Sequence, residues 1–354
     1  MAARRIVIIG GGFAGMASAY FLARDHVGEV VILEQEPLLG VHASGNNAAM
    51  ARQFVPDPDV QRLAVRGTAF LYRPPGDVAK RPLIRVIGSL LLFDATAEHA
   101  VRRAVADAQT RGVGATVIRR AECEARVPVL VGADFAGAVW TPTDGVIDIA
   151  AYLEGLRRGA VAAGARGVTD ARVTANAPGA GGARVTTTAG VWQADIVVNA
   201  AGAWADRIAA LADAAPRGLV PLRRHLFQSE QRPEVSRHWP FVWDQTHEYY
   251  FRPESGGLLL CACDEVAQVP GPPGHDPGIA ELLAHKLAAH CPRLADARIA
   301  KSWAGLRTFA PDRRPAIGWD IRCPWFYWVA GLGGHGVTCA AAVGEYVAKE
   351  IHQR

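Results

Sequence analysis

Gly10, Gly12 and Gly15 stand in the spacing Gly-x-Gly-x-x-Gly, and Glu34 follows 19 residues after Gly15. The first glycine permits a tight turn. The second lets a pyrophosphate approach the backbone, and the third lets helix and strand pack closely. The helix that follows points its N-terminus at the phosphates. An acid at the place of Glu34 accepts hydrogen bonds from ribose hydroxyls and disfavours a 2′-phosphate. NAD and FAD both suit such a turn.

Three more segments bring backbone close to a ligand. Val197-Val198-Asn199-Ala200-Ala201-Gly202-Ala203-Trp204 reads as a buried strand ending in small residues. Gly331-Leu332-Gly333-Gly334-His335-Gly336-Val337-Thr338 precedes a helix, where backbone N–H groups can stabilise negative charge. His335 reads as a solvated or backbone-bonded loop histidine in preference to a general base. Ser44-Gly45-Asn46-Asn47-Ala48-Ala49-Met50, taken alone, reads as a polar loop. Arg223 and Arg307 each carry a planar fork that matches a carboxylate with two parallel bonds. An arginine in isolation is by default a surface ion pair.

The elements that must position these residues follow from patterning. Arg4–Ile9 and Glu29–Leu33 read as buried parallel strands joined by a helix over residues 14–25, a βαβ unit. Residues 46–82 have a looser pattern. Ile84–Phe93 reads as one strand, residues 95–109 as a helix, and Trp140–Asp144 as a turn. Residues 149–163 read as an amphipathic helix. Short strands at 172–174 and 184–188 flank the turn 178–182. Pro221–Phe227 and Tyr249–Cys261 suggest a second, more aromatic sheet. Helices are expected over 279–289 and 337–351, with a buried strand at Trp325–Ala330.

Composition bounds the function. The chain has 354 residues, half of them hydrophobic, which suggests about two globular domains. A net charge of +4, from 38 basic and 34 acidic residues, is too balanced to mark a nucleic-acid binder. No apolar run reaches the roughly 20 residues of a membrane helix. Six thinly spread cysteines with no CxxC pair give neither a zinc motif nor a disulfide framework, so no metal is expected. Cys261 and Cys263 read as one face of a strand. A reducing cytoplasm fits, and residues 1–5 lead into the first strand without a signal-peptide pattern.

Taken in order along the chain, these motifs resemble the D-amino-acid oxidase superfamily of FAD-dependent oxidoreductases, and most of all its bacterial D-arginine dehydrogenases. The matching pieces are Gly10–Gly15, Leu33-Glu34, Ser44–Ala49, Asn199–Trp204, Pro221–Arg224, Tyr250–Pro253, Trp303–Arg307 and Gly331–Gly344. The resemblance implies an α/β (α+β) fold. A Rossmann-like FAD-binding domain (1–82, 145–215, 300–354) interleaves with a mostly antiparallel substrate domain (83–144, 216–299). It implies FAD contacts from Gly10, Gly12, Phe13, Ala14, Gly15, Glu34 and Gln35. Ser44, Asn46, Asn47, Ala48, Ala49, Met50 and Val173 would follow. Ala200, Ala201, Gly202, Trp204, Gly305 and Arg307 would add a third set, and Gly333, Gly334, His335, Gly336, Val337 and Thr338 a fourth. Arg307, Tyr250 and Arg223 would clamp the substrate carboxylate, with Arg52 a further candidate and Arg224 a competitor for Arg223.

Some positions depart from the pattern. Gly305 stands where some relatives carry a flavin-linking cysteine, which implies noncovalent FAD. Ser89 stands where the D-arginine dehydrogenases place a carboxylate, Met50 replaces a histidine, and Val55 a lid tyrosine. These changes imply a small neutral or acidic D-amino acid in place of a cationic one. The expected reaction oxidises the Cα–N bond, with O2 or another electron acceptor. Glycine, sarcosine or cyclic secondary amines are alternative substrates, as are 2-hydroxy acids.

Overall fold

A computed structural model of the chain describes residues 3–179 and 181–354. Among them the first sheet has six strands. Its order is Ala316–Trp319, Phe326–Ala330, Ile196–Asn199, Arg5–Ile9, Glu29–Leu33 and Arg166–Val168. All neighbours run parallel except the edge strand Ala316–Trp319. The strand Arg5–Ile9 is apolar on both faces because both faces are covered. Ile6 and Ile8 meet the helices Phe13–Arg24, Ile149–Ala162 and Gly336–His352. Val7 and Ile9 meet a three-stranded sheet (Val173–Gly179, Gly182–Thr187, Gly190–Ala194) and the helix Ala205–Leu211. The expected turn at 178–182 contains Ala180, which lies outside the described residues.

The second large sheet has nine strands and is antiparallel except where Phe241–Asp244 lies beside Ser89–Phe93. Strand alternation gives it two different faces. Tyr249, Phe251, Leu258 and Leu260 point into a core closed by the helix Gly278–His290. Tyr250, Leu259 and Cys261 point the other way, toward Ala48 and Met50. Ile299–Phe309, which the sequence reading groups with the FAD-binding segments, pairs along Val220–Ser229 in this sheet.

Several elements differ from the expected ones. The loose stretch 46–82 contains the helix Pro58–Tyr72, whose first turn is capped by Asp57 accepting from Asp59 N–H and Val60 N–H. Ile84–Phe93 breaks at Gly88, whose φ of +73° turns the chain and whose missing Cβ leaves room for the Trp140 ring. Trp140 and Thr141 end the strand Gly137–Thr141, and the turn comes after them. Cys263 lies beyond the end of the strand Gly257–Cys261, in a left-handed conformation. Among the described residues, no helix is long and apolar enough to cross a membrane.

Candidate active site

The first strand turns at Gly10, where φ is +110° and a Cβ would come 2.5 Å from the Ala200 carbonyl oxygen. A Cβ on Gly15 would overlap the Gly10 carbonyl oxygen, so the helix Phe13–Arg24 can seat only on glycine there. That helix starts at Gly12 with no side-chain cap from its own N-terminus. Instead Phe13 N–H donates to Ser44 Oγ at 3.0 Å. Glu34 is buried at the end of its strand. One carboxylate oxygen accepts from Gly11 N–H at 2.7 Å and the other from Glu36 N–H at 3.0 Å. Each oxygen keeps a further lone pair for a ligand hydroxyl.

From this turn a cavity of about 700 Å³ runs between the two large sheets. That is ample for a cofactor and a small substrate together. Gly10, Gly12, Phe13, Ala14, Glu34, Gln35 and Val173 line one end, with Ala200, Ala201, Gly202 and Trp204 beside them. Ser44, Asn46, Asn47, Ala48, Ala49 and Met50 line its middle. The Asn46 and Asn47 amides are spent on the loop itself: Asn46 donates to the Val41 and His42 carbonyls, Asn47 to the Ser44 carbonyl. Arg252 braces the same loop by donating to the Ala48 carbonyl at 2.8 Å. Gly333, Gly334, Gly336 and Val337 close the far side together with Gly305 and Arg307.

The far end is cationic and aromatic. Arg307 lies against the backbone of Gly334, where any Cβ would strike its guanidinium. Arg224 also lines the cavity and pairs with Glu265 at 2.8 Å, while Arg307 lies 3.7 Å from the same carboxylate. Burial pushes the Glu265 carboxyl up. The Arg313 hydrogen bond and the Arg224 and Arg307 charges outweigh that and hold it below its ordinary value. Trp243 and Tyr250 line the wall. Burial pushes the Tyr250 phenol well above its ordinary value of 10, so it remains a hydrogen-bond donor.

Arg52 does not itself line the cavity. Its guanidinium stacks 4.1 Å above the ring of Trp243, and its buried Nη1 makes no hydrogen bond among the described residues. Burial lowers its pKa to about 10, with Asp144 opposing and Arg307 adding to the fall, so it stays charged at neutral pH. Asp144 accepts from Ser89 Oγ at 2.7 Å and from Gln53. Burial raises it to about 6. Ser89 therefore has a carboxyl group behind it after all, one that is fully buried and faces Arg52.

Arg223 is turned away from this set. On paired antiparallel strands, opposite residues share a face. Arg224 stands opposite Gly305, and Leu222 opposite Arg307, so Arg224 and Arg307 share one face. Arg223 falls on the other face and pairs with Asp276 at 2.9 Å. Thr338 is also outside the lining, its hydroxyl donating to the Met50 carbonyl. His335 begins the C-terminal helix. Burial, reinforced by the Arg52 and Arg307 charges, lowers its imidazole to about 3, so it is neutral at physiological pH. The sequence reading gave no role to Trp243, Asp144, Glu265 or Arg252, although Arg252 stands inside the matching piece Tyr250–Pro253. Strand pairing brings Trp243 and Arg252 here, and Asp144 and Glu265 come from loops that no motif marks.

The pattern of the family described as FAD dependent oxidoreductase matches residues 5–350. The chain belongs to this family. Among solved structures it is similar to L-proline dehydrogenase from P. horikoshii. Identity is 25%, the TM-score is 0.88, and 98% of this chain and 93% of that one are covered. It shares the fold of glycine oxidase from Geobacillus kaustophilus at 23% identity and TM-score 0.85, over 100% and 96% of the two chains. Mouse (Mus musculus) mitochondrial sarcosine dehydrogenase is 28% identical over 163 residues, 46% of this chain. The match spans only 18% of that enzyme and 10% of a second curated relative.

FAD is thus the cofactor, and the cradle fits it. The Gly10–Gly15 turn and Glu34 suit its pyrophosphate and ribose, and Gly305 on the strand Ile299–Phe309 and Gly333, Gly334 and Gly336 on the loop before the last helix line the cavity in which a flat ring would lie. A cysteine at position 305 would drive its Cβ into the Asn46 carbonyl oxygen, so a covalent anchor has no place there. Acid precipitation is expected to release all flavin into the supernatant. Colour kept in the protein pellet would contradict noncovalent binding.

Proposed function

We propose that the chain oxidises the Cα–N bond of an amino acid to the imino acid, with the free carboxylate of the substrate held by Arg307 and Tyr250. The observation that carries this reading is the gathering of Arg307, Arg224, Arg52 and Tyr250 around one end of the cavity. Bound FAD would supply the hydride acceptor. The chain's own residues would bind, orient and keep the site dry. The Arg307 fork fixes the carboxylate, and the Tyr250 hydroxyl adds a hydrogen bond to it. With the carboxylate fixed, Cα has one allowed position in the cavity. No side-chain base is needed if the amine binds neutral, and His335, held near 3, is a poor one. The walls of Trp243, Leu226 and Leu306 exclude water. The imino acid hydrolyses after release to an oxo acid and ammonia, and O2 or another acceptor takes the electrons.

The family resemblance points to a D-amino acid, and the excess of guanidinium groups favours a small neutral or acidic side chain over a cationic one. Among the described residues, Glu265 and the buried Asp144 face these three arginines, Glu265 is shared with Arg313 as well, and like charge repels a cationic side chain. The similarity to a proline dehydrogenase and a glycine oxidase supports a second reading, a secondary-amine or glycine substrate. Steady-state turnover across D-Asp, D-Ala, D-Arg, D-Lys, glycine, sarcosine and proline tests both, with oxo acid and ammonia as readouts. Turnover highest with D-Arg or D-Lys would overturn the charge argument.

A further inference from the structure

Cys261 ends the strand Gly257–Cys261 and Cys263 follows it, and the reaction proposed above gives neither a role. Tyr250 stands directly opposite Cys261 on the neighbouring strand. Arg224 Nη1 reaches the Cys261 sulfur at 3.9 Å. Tyr250 and Arg224 both line the cavity, so this sulfur sits just behind its cationic end. Cys263 then leaves the strand with φ at +55°, a conformation that a residue other than glycine seldom adopts. Its N–H donates to Cys261 Sγ at 3.3 Å, and its thiol donates to the same sulfur. Both side chains pack in one cluster with Ala48 and Met50.

This placement allows the two sulfurs to join. The Cα atoms of residues two apart are separated by at most about 7 Å, and a disulfide spans about 4.4–6.8 Å. The acidity of the thiols also sets this pair apart. Burial pushes the Cys261 thiol up, but the hydrogen bonding from Cys263 and the Arg224 charge outweigh that and hold it below its ordinary value of 9. The Cys263 thiol is held protonated, first by donating to Cys261 and then by burial. A thiolate beside a resolving thiol is the arrangement that oxidises reversibly. Burial raises the thiols of Cys123, Cys291, Cys323 and Cys339, which leaves them inert. With Cys261 ionised the end of the cavity stays cationic, because Arg52, Arg224, Arg307 and Arg313 still outnumber Glu265, Asp144 and Cys261.

We infer that Cys261 and Cys263 form a redox-active dithiol that hydrogen peroxide converts to a disulfide. The Cys261 thiolate attacks one peroxide oxygen, the O–O bond breaks, and hydroxide leaves. Cys261 is then a sulfenic acid. The Cys263 sulfur attacks the Cys261 sulfur, the S–O bond breaks, and water leaves with the Cys263 proton. The proton that Cys261 lost on ionising neutralises the hydroxide. In sum the dithiol gives up two electrons and two protons, and the peroxide becomes two molecules of water. O2 that takes two electrons from an enzyme leaves as hydrogen peroxide, so turnover with O2 would itself produce the oxidant at this wall of the cavity. The disulfide carries no charge, and Arg224 would keep Glu265 as its anionic partner.

The test uses FAD-loaded enzyme that is reduced with dithiothreitol, freed of it and treated with a small molar excess of hydrogen peroxide. Remaining thiols are alkylated under denaturing conditions, and the digest is read by mass spectrometry. The peptide holding Cys261 and Cys263 should be two hydrogens lighter than in the reduced enzyme and carry no alkyl group. Dithiothreitol added before alkylation should restore both thiols. Cys123, Cys291, Cys323 and Cys339 should stay alkylated throughout. Cys263→Ser, at a partly exposed position, should stop at the Cys261 sulfenic acid and take up dimedone there. Alkylation of both Cys261 and Cys263 after peroxide treatment would overturn the inference. So would irreversible oxidation of Cys261 in the wild type, since Cys263 would then fail to capture the sulfenic acid. The readout needs no substrate, so it stands apart from the amino-acid oxidation proposed above.

Discussion

Arg307→Ala is expected to lower kcat/KM for the best amino-acid substrate by about a hundred- to a thousand-fold, with the flavin still bound. Losing one partner of a buried charge-assisted pair costs about 2–5 kcal/mol, and each 1.36 kcal/mol is tenfold in rate. The loss should appear in KM, because the carboxylate loses its anchor, and in kcat, because Cα loses its position. Arg307→Lys keeps the charge but not the fork, and should recover only part of the loss. Arg223→Ala is the matched control. Its guanidinium lies on the opposite strand face against Asp276, so kcat/KM should stay within about threefold. A large effect of Arg223→Ala with a small one of Arg307→Ala would reverse the assignment.

Gly15→Ala is expected to yield protein with little or no flavin and a lower Tm. The new Cβ would overlap the Gly10 carbonyl oxygen, so strand and helix must separate at the phosphate cradle. Overpacking of this kind typically costs about 1–3 kcal/mol. Ligand binding stabilises the wild type by a further 2.7 kcal/mol or so at a hundred times Kd, and the variant forfeits that as well. The measurement is flavin-to-protein ratio after gel filtration, with thermal melts at several FAD concentrations. The wild-type Tm should climb with added FAD, and that of Gly15→Ala should not. Full flavin content in the variant would show that the Gly10–Gly15 turn does not bind the cofactor.

The parts readable from sequence are those whose signal is local. The turn at Gly10–Gly15, the acid at Glu34 and the glycine loop before the last helix each declare themselves within a few residues. The helix Pro58–Tyr72 had a local signal too, an Asp57 cap followed by Pro58. Gly67 obscured the apolar stripe, and its reason is tertiary: a side chain there would overlap the Thr338 carbonyl oxygen on the C-terminal helix. The choice between Arg223 and Arg224 was not readable, since it depends on pairing with a strand some 80 residues later. Asp144 was hidden because it comes from a loop that no motif marks. Read alone, Ser89 leaves that wall uncharged, yet a carboxyl group sits 2.7 Å behind it.

The most direct test of the carboxylate clamp is anaerobic mixing of the holoenzyme with an active amino acid and, separately, with its carboxamide. Loss of the flavin absorption band is the readout. The amino acid should bleach the flavin, and the carboxamide, which cannot form the ion pair with Arg307, should bleach it at least about a hundredfold more slowly. Equal rates for the two would contradict recognition of the carboxylate by Arg307 and Tyr250.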